Sequence, residues 1–433
     1  MKSMADVIFV LNVAVKVFSA YFVIIMLFAI FKPKPFGRHA PKTKFAVVIA
    51  ARNEEAVIGN LVLSLRLQKY PANLVDIYVI PNNCTDNTKN VALKAGAKII
   101  ECTGPVRCKG DALNEAFRVL RKEGHDAYCI FDADNYADKN FLAEMNNAFC
   151  DGYTVAKGRN EAKNPYDSWV AGCYALYFNT MNLFFNKSRA KLGLSAKPNG
   201  TALAFHRSVL EKNDGWNTIT LTEDAEFGAD CVILGERIAW VPDAIAYDEE
   251  PNSFAVSIRQ RQRWISGLMQ VAGMKLKKVI STKHGKKRLR LDGAMILLSP
   301  FVQGVSAFVI PATYLSDISN ITTATAFGDF AVNLLLNIGL LYAGATAAAL
   351  VIALFSKRYD WRIAKGILMY GVFMFSWIPI SVVSLFRKEK TWEHISHGHA
   401  KQSALVQGTS LFTHKMAAPI SQINCSNYKR RYL

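Results

Sequence analysis

Phe45-Ala46-Val47-Val48-Ile49-Ala50-Ala51-Arg52-Asn53-Glu54-Glu55 is an apolar run that stops abruptly at four polar residues. An uncharged stretch over 45–50 with no polar alternation reads as a strand buried on both faces. The next stretch, 54–68, changes period: Val57, Leu61 and Leu65 share a stripe with Ile58 and Val62, which predicts a helix. The alternation then repeats, with strands expected at 75–80, 97–101 and 127–131 and helices at 88–95 and 110–122. Short strands separated by single helices imply βαβ units and a parallel sheet. Ligands of such sheets bind beyond the carboxyl ends of the strands. The polar clusters stand in those places: Arg52-Asn53-Glu54-Glu55, Asn82-Asn83-Cys84-Thr85-Asp86 and Asp132-Ala133-Asp134.

Outside this middle region the chain is too apolar for a soluble protein. Its 433 residues are 51% hydrophobic and 20% charged, with a mean hydropathy of +0.12, which points to a soluble domain joined to membrane segments. Residues 7–31 form a run broken only by Asn12, Lys16 and Ser19. At about 1.5 Å per residue that run crosses a ~30 Å hydrocarbon core. Its length, and the lack of a small-residue cleavage site after it, favour an uncleaved anchor over a signal peptide. Lys32, Lys34, Arg38, Lys42 and Lys44 follow, so the anchor is expected to have its N-terminus outside and to deliver the next domain to the cytoplasm. Further apolar segments lie at 294–315, 327–355 and 367–386. The loop 316–325 lacks Lys and Arg and reads as external, whereas Lys357, Arg358, Arg362 and Lys365 read as internal. The last segment carries Trp377-Ile378-Pro379 at its middle; a re-entrant hairpin bent at Pro379 keeps the basic tail inside.

The formal charge is +18, from 52 Lys+Arg against 34 Asp+Glu. Lys275, Lys277, Lys278, Lys283, Lys286, Lys287, Arg288 and Arg290 crowd an acid-free stretch just before the second membrane segment. Such a cluster predicts a helix lying on anionic membrane lipids, at about 1 kcal/mol per basic residue. No nucleic-acid recognition motif accompanies it, so no nucleic-acid partner is expected. The eight cysteines include no C-x-x-C pair and read as buried thiols in a reducing compartment.

Three polar groups carry candidate chemistry. Asp132 and Asp134 leave an apolar strand two residues apart and can converge on one hard cation, although the same pattern is common in solvated turns. Thr222-Glu223-Asp224 reads either as the acidic first turn of a helix or as a general base for an attacking hydroxyl. Arg259-Gln260-Arg261-Gln262-Arg263-Trp264 places three guanidiniums beside an indole, which suits either a basic surface helix or a site for diphosphate and sugar. Three histidines in 391–399 lack a fourth ligand and are not expected to bind a metal.

The ordered set Ala51-Arg52-Asn53-Glu54, Lys109-Gly110-Asp111-Ala112-Leu113-Asn114, Asp132-Ala133-Asp134, Thr222-Glu223-Asp224 and Gln260-x-x-Arg263-Trp264, between an N-terminal anchor and C-terminal membrane segments, resembles the membrane-embedded family 2 glycosyltransferases. These include the synthases of cellulose, hyaluronan, chitin and poly-N-acetylglucosamine. The resemblance covers about residues 1–390. It implies an α/β GT-A fold (nucleotide-diphospho-sugar transferase) with N-terminal and C-terminal transmembrane helices, a UDP-sugar donor, Mg²⁺ or Mn²⁺, and inversion at the anomeric carbon. It further implies that Asp224 is the base, with Glu223 beside it, and that Arg52, Glu54, Asn82, Lys109, Asp132, Asp134 and Arg263 bind the donor, Asp134 also holding the metal. Trp264, Gln260, Gly200 and Thr201 fall at the acceptor, a growing polysaccharide or a lipid. Asn82 departs from the aspartate usual at its position, but its carbonyl can still accept a uracil N–H. The expected organisation is an anchor and linker at 1–40, a cytoplasmic catalytic domain at 41–250, interfacial helices at 251–291, a membrane region at 292–390 and a cytoplasmic tail at 391–433, in a multi-pass protein of the cell membrane. Partner subunits are not indicated by the sequence.

Overall fold

The computed structural model describes residues 4–318, 324–356 and 359–387; the expected tail with its histidine stretch, half of the loop 316–325, and Lys357 and Arg358 lie outside them. After helix α1 (Met4–Leu27) the chain runs through β1 (Phe45–Ala51), α2 (Ile58–Arg66), β2 (Val75–Pro81), α3 (Thr88–Ala95), β3 (Lys98–Ile99), α4 (Lys109–Leu120) and β4 (Ala127–Asp132). The second half of the sheet comes from β5 (Tyr136–Ala137), β6 (Val155–Ala162), β7 (Leu203–His206) and β8 (Ile238–Asp248), interleaved with α5 (Phe141–Cys150), α6 (Trp169–Thr180), a π-helical turn over Met181–Asn186, α7 (Lys187–Leu192), α8 (Arg207–Lys212) and α9 (Glu223–Leu234). The chain then continues as α10 (Phe254–Ser281), α11 (Lys287–Ile318), α12 (Ala324–Ser356), α13 (Ala364–Phe375) and α14 (Trp377–Phe386).

The sheet order is β3-β2-β1-β4-β7-β6-β8-β5. Strands β3, β2, β1 and β4 are mutually parallel, as expected from the βαβ spacing. Beyond β4 that expectation fails. Strand β7 pairs antiparallel with both β4 and β6, and β5 pairs antiparallel with β8, so the sheet is mixed. Along β1, Val47 and Ile49 point into a core with Ile58, Leu61 and Leu65, while Ala46 and Val48 point into a second core with Phe117, Phe205 and Trp216. A strand covered on both faces has no polar phase to keep, which is why its sequence is uniformly apolar. Helix α2 begins four residues later than predicted. Asn53 takes the left-handed region at φ 57°, and Val57 and Ile58 both donate to the Glu54 carbonyl in a tight turn that delays the helix.

Among the described residues, four helices are long and apolar enough to cross a membrane: Asp6–Ile30, Lys287–Val309, Phe327–Ser356 and Trp361–Phe386. The last of these corrects the hairpin expectation. The break between α13 and α14 falls at Ser376, which keeps helical dihedrals (φ −64°, ψ −16°), and Ser376 N donates to Val372 O at 3.1 Å. Pro379 lies inside α14, so the segment is a bent helix rather than a re-entrant turn. Arg261, fully buried on α10, donates from Nη1 to Phe373 O at 3.0 Å and to Ser376 Oγ at 2.7 Å. Its guanidinium thereby satisfies a carbonyl at the bend.

The basic stretch over 275–290 is also not one helix. It covers the end of α10, a turn and the start of α11. Lys275 does not face lipid headgroups, because its ammonium sits 2.7 Å from Asp230 and 3.5 Å from Glu226, both on α9. Lys277, Lys278, Lys283, Lys286, Lys287 and Arg288 remain exposed. Helix α6 crosses α13 at a pair of glycines: a Cβ on Gly366 would stand 2.9 Å from the Gly172 carbonyl carbon.

Candidate active site

The loops after β1 and β2 brace each other. Thr85 N donates to Asn53 Oδ1 at 2.8 Å, Glu54 N to Thr88 Oγ1 at 2.8 Å, and Glu55 N to Asp86 Oδ2 at 3.0 Å. Asn82 donates from Nδ2 to Ala51 O at 3.0 Å, which leaves its Oδ1 as the acceptor. Arg52 is half-buried and Glu54 buried on this same rim.

The next strand end brings in charge. Lys109 opens α4, and the adjacent Gly110 packs where a Cβ would lie 2.7 Å from the Thr218 carbonyl oxygen, so only glycine lets the helix approach that closely. The Lys109 ammonium then stands 2.5 Å from Asp132 Oδ1 and 2.9 Å from Glu223 Oε1. Burial pulls the Lys109 pKa down, but Asp132 and Glu223 outweigh it and hold the amine above its usual range. Burial pushes the Glu223 carboxyl up; Lys109 opposes that shift, while the charges of Asp224 and Asp132 add to it.

Asp224 reaches the same place from the first turn of α9. Gly200 N donates to Asp224 Oδ2 at 2.6 Å, and Gly200 itself is left-handed at φ 68°. A Cβ on Gly200 would lie 3.3 Å from Asp132 Oδ2, so Asp132, Gly200 and Asp224 converge. Thr201 Oγ1 accepts from Asp132 N at 3.2 Å and fixes the end of β4. Arg263, on α10, lies in the field of Glu223, Asp132 and Asp224; burial lowers its pKa while those carboxylates sustain its charge.

Helix α10 reaches this cluster because of Gly267. A Cβ there would meet Thr222 Cγ2 at 2.6 Å and Thr222 Oγ1 at 2.7 Å. Gly267→Val is therefore expected to push α10 off the Thr222-Glu223-Asp224 turn, destabilising the protein by about 1–3 kcal/mol and lowering turnover by about tenfold through misplacement. Thermal unfolding and turnover of the purified variant check both numbers.

Gln260 and Trp264 fall beside the charged cluster, against helices rather than in it. Gln260 Oε1 accepts from Tyr174 OH at 2.8 Å. The Trp264 ring meets Tyr174 edge-on at 6.1 Å and lies 6.4 Å from Trp377, so an aromatic wall runs from α10 onto α6 and α14. Of the three arginines in the motif, Arg259 is exposed and Arg261 is bound to the helix bend, leaving Arg263 for the site.

Asp134 lies on the other flank of β4, buried beside Asn135. Lys163 Nζ is 3.1 Å from the Asp134 carbonyl and 2.6 Å from Glu249 Oε2. Asn135 donates to Asp248 Oδ1 at 2.7 Å, and its own buried Oδ1 has no partner among the described residues. No group of three His, Cys, Asp or Glu is gathered about one point among the described residues. An all-oxygen donor set with an unpaired amide oxygen fits a hard cation completed by phosphate and water rather than a closed protein cage. Two residues of the stretch 156–160, which the sequence suggests as part of the sugar pocket's wall, take roles that it did not indicate. Lys157 is wholly buried on β6, where burial pushes its ammonium down to about 7 against the opposing charges of Asp248, Asp224 and Asp132. Asn160, three residues on, accepts from Lys157 Nζ at 2.5 Å. A lysine and an asparagine within a strand that follows an apolar helix were the available signal.

A mixed sheet with acidic residues at the carboxyl end of its central strand, capped by helices, has the GT-A architecture, and residues 41–267 match the model of the family described as Glycosyltransferase like family 2. The chain belongs to that family. It is 30% identical over 279 residues to the probable glycosyltransferase YdaM of Bacillus subtilis (strain 168), covering 59% of this chain and 64% of that protein. It is 26% identical over 239 residues to the beta-monoglucosyldiacylglycerol synthase of Nostoc sp. (strain PCC 7120), covering 51% of this chain and 48% of that one. The chain thus spans about half to two thirds of the length of these curated relatives. Among solved structures, the mannosyltransferase PcManGT from Pyrobaculum calidifontis, in complex with GDP-Man and Mn²⁺, shares the fold with a TM-score of 0.57 at 18% identity, covering 89% of this chain and 99% of that one.

Proposed function

We propose that this protein is an inverting, processive β-glycosyltransferase of the cell membrane. In this reading it takes a glucose or N-acetylglucosamine type unit from a UDP-sugar, adds it to a growing polysaccharide on the cytoplasmic side, and passes the product among its own membrane helices. The observation that carries the transfer chemistry is the convergence of Lys109, Asp132, Glu223 and Asp224 beside Arg263. Asp224, with Oδ2 held by the Gly200 N–H, has its other oxygen to take the proton from the acceptor hydroxyl. Lys109 and Arg263 face the charge that develops on the leaving diphosphate, Arg263 able to fork onto two of its oxygens. Asn82 Oδ1 meets a uracil N–H, with Arg52 and Glu54 on the same rim.

Asp134 would hold Mg²⁺ or Mn²⁺, which supplies Lewis-acid stabilisation of the diphosphate when bound. EDTA is accordingly expected to reduce UDP release at least about tenfold, with recovery on adding Mn²⁺ or Mg²⁺; release unchanged by chelation refutes the metal assignment. Trp264 would stack on the acceptor sugar, beside Gln260, Gly200 and Thr201. Processivity is favoured by Trp264 lying beside Trp377 of α14, ring centroids 6.4 Å apart, which brings one of the apolar C-terminal helices next to the proposed acceptor site. The domain limits 1–40, 41–250, 251–291 and 292–390, an internal catalytic domain, and contact of the exposed Lys277–Arg288 region with anionic lipids belong to the same reading.

A second reading, transfer of one sugar to a lipid, is favoured by the similarity to the monoglucosyldiacylglycerol synthase. Purified full-length protein supplied with radiolabelled UDP-glucose or UDP-N-acetylglucosamine separates the two. A ladder of long, glycosidase-sensitive products supports polymerisation, and a single lipid-soluble product refutes it. UDP release across a panel of UDP-sugars, with none stimulating it, would refute both.

A further inference from the structure

The turn that grips the proposed base is itself held from below. Gly200, whose N–H binds Asp224, belongs to a segment between α7 and β7 that has no helix or strand of its own. Beneath it, Asn160 Nδ2 donates to Asn199 O at 3.3 Å, one residue before Gly200. Asn160 Oδ1 accepts from Lys157 Nζ at 2.5 Å, and Lys157 also donates to Gly158 O at 2.9 Å. The backbone of Asn160 is fixed in turn, since Asn182 Nδ2 donates to Asn160 O at 2.8 Å. All three side chains are nearly inaccessible: Lys157 is 0% exposed, Asn160 2% and Asn182 3%.

The hydrogen-bond inventory decides what this arrangement does. Lys157 Nζ donates to both Gly158 O and Asn160 Oδ1, charged or neutral, so the amide of Asn160 turns its oxygen to Lys157 and its NH₂ to the Asn199 carbonyl. Lys157 thus sets the orientation of the amide, and the amide sets the height of the turn. We propose that Asn160, oriented by Lys157, is a positioning residue that holds the Asn199-Gly200 turn and through it aims Asp224. The proposal rests on the assignment of Asp224 as base. It adds a residue that touches neither donor nor acceptor and acts only through the Gly200 N–H.

The test uses the full-length protein and UDP release from UDP-glucose and UDP-N-acetylglucosamine, with kcat and donor KM measured for Asn160→Asp, Asn160→Ala and Asp224→Asn. Asn160→Asp keeps the volume and the Lys157 contact but sets a second acceptor against Asn199 O, lifting the turn. It is expected to lower kcat about a hundredfold, with donor KM within about twofold of the parent. Asn160→Ala removes the hold without the repulsion and is expected to lose about tenfold in kcat at the same KM. A volume-filling role predicts the opposite order, because alanine leaves a cavity where aspartate does not. Alanine worse than aspartate, or either variant turning over like the parent, overturns the proposal. If Asn160→Asp does not fold, Asn160→Ala decides: parent-like turnover, or a donor KM raised as much as kcat is lowered, overturns the proposal. Full turnover in Asp224→Asn would instead overturn the base assignment, whereas an inactive Asp224→Asn beside an unaffected Asn160→Asp removes only the positioning role.

Discussion

Asp224→Asn is expected to lower UDP-sugar turnover by about a thousandfold or more while leaving UDP affinity nearly unchanged. The substitution is isosteric, and the bond from Gly200 N at 2.6 Å can still be accepted by the amide oxygen. What disappears is the basicity of the second oxygen, which is used only while the acceptor hydroxyl is losing its proton. The binding side of the site, where Lys109 meets Asp132, is left as it was. A loss confined to kcat is therefore the signature of the base. A variant that turns over normally, or one that loses turnover and UDP affinity in parallel, would place the proton acceptor elsewhere.

Lys109→Met is expected to fail differently. The ammonium bridges Asp132 at 2.5 Å and Glu223 at 2.9 Å, and Asp224 raises the Glu223 carboxyl further. Methionine fills the space but leaves two half-buried carboxylates without their cation. Leaving them unpaired costs about 1–3 kcal/mol, so the thermal transition should fall by a few degrees. Turnover is expected to drop about a thousandfold, and donor KM to rise at least about tenfold, because the same ammonium would serve the diphosphate. Titration of UDP-sugar against the variant reads the second effect. A parent-like KM would remove Lys109 from the donor site and leave it a purely structural cation.

The contrast between the halves of the sheet shows what the sequence could reveal. Strands β1, β2 and β4 were legible because both their faces are covered, so each is an apolar run, broken only at Asp76 in β2 and ended by Asp132 in β4. Strand β6 is equally buried, but its sequence Val-Ala-Lys-Gly-Arg-Asn-Glu-Ala carries Lys157, Arg159, Asn160 and Glu161. These charges find partners inside the fold, Arg159 with Glu161 and Lys157 with Asn160, and no local pattern announces such pairing. For the same reason the antiparallel crossings beyond β4 went unpredicted. Of the residues expected at the site, Lys109, Asp132, Glu223, Asp224, Gly200, Thr201 and Arg263 meet, although they come from distant parts of the chain. The three arginines of the Gln260 motif could have been sorted in advance. Successive helical residues turn by about 100°, so Arg261 had to face away from Arg263, and the structure has it binding the helix bend instead.

The crossing of Gly172 with Gly366 bears on how the molecule can be handled. Backbones that meet without side chains between them share one interior: Cys173, Tyr174 and Leu176 of α6 are buried together with Ile363, Tyr370 and Phe373 of the apolar span Trp361–Phe386. A fragment ending before α11 would keep Asp132, Glu223 and Asp224 but strip the cover from that aromatic face of α6. Such a fragment should self-associate in water, and detergent would substitute for the missing helices only in part. The family domain therefore cannot be cut away cleanly, because the apolar helices that follow α11 supply one wall of the interior around α6.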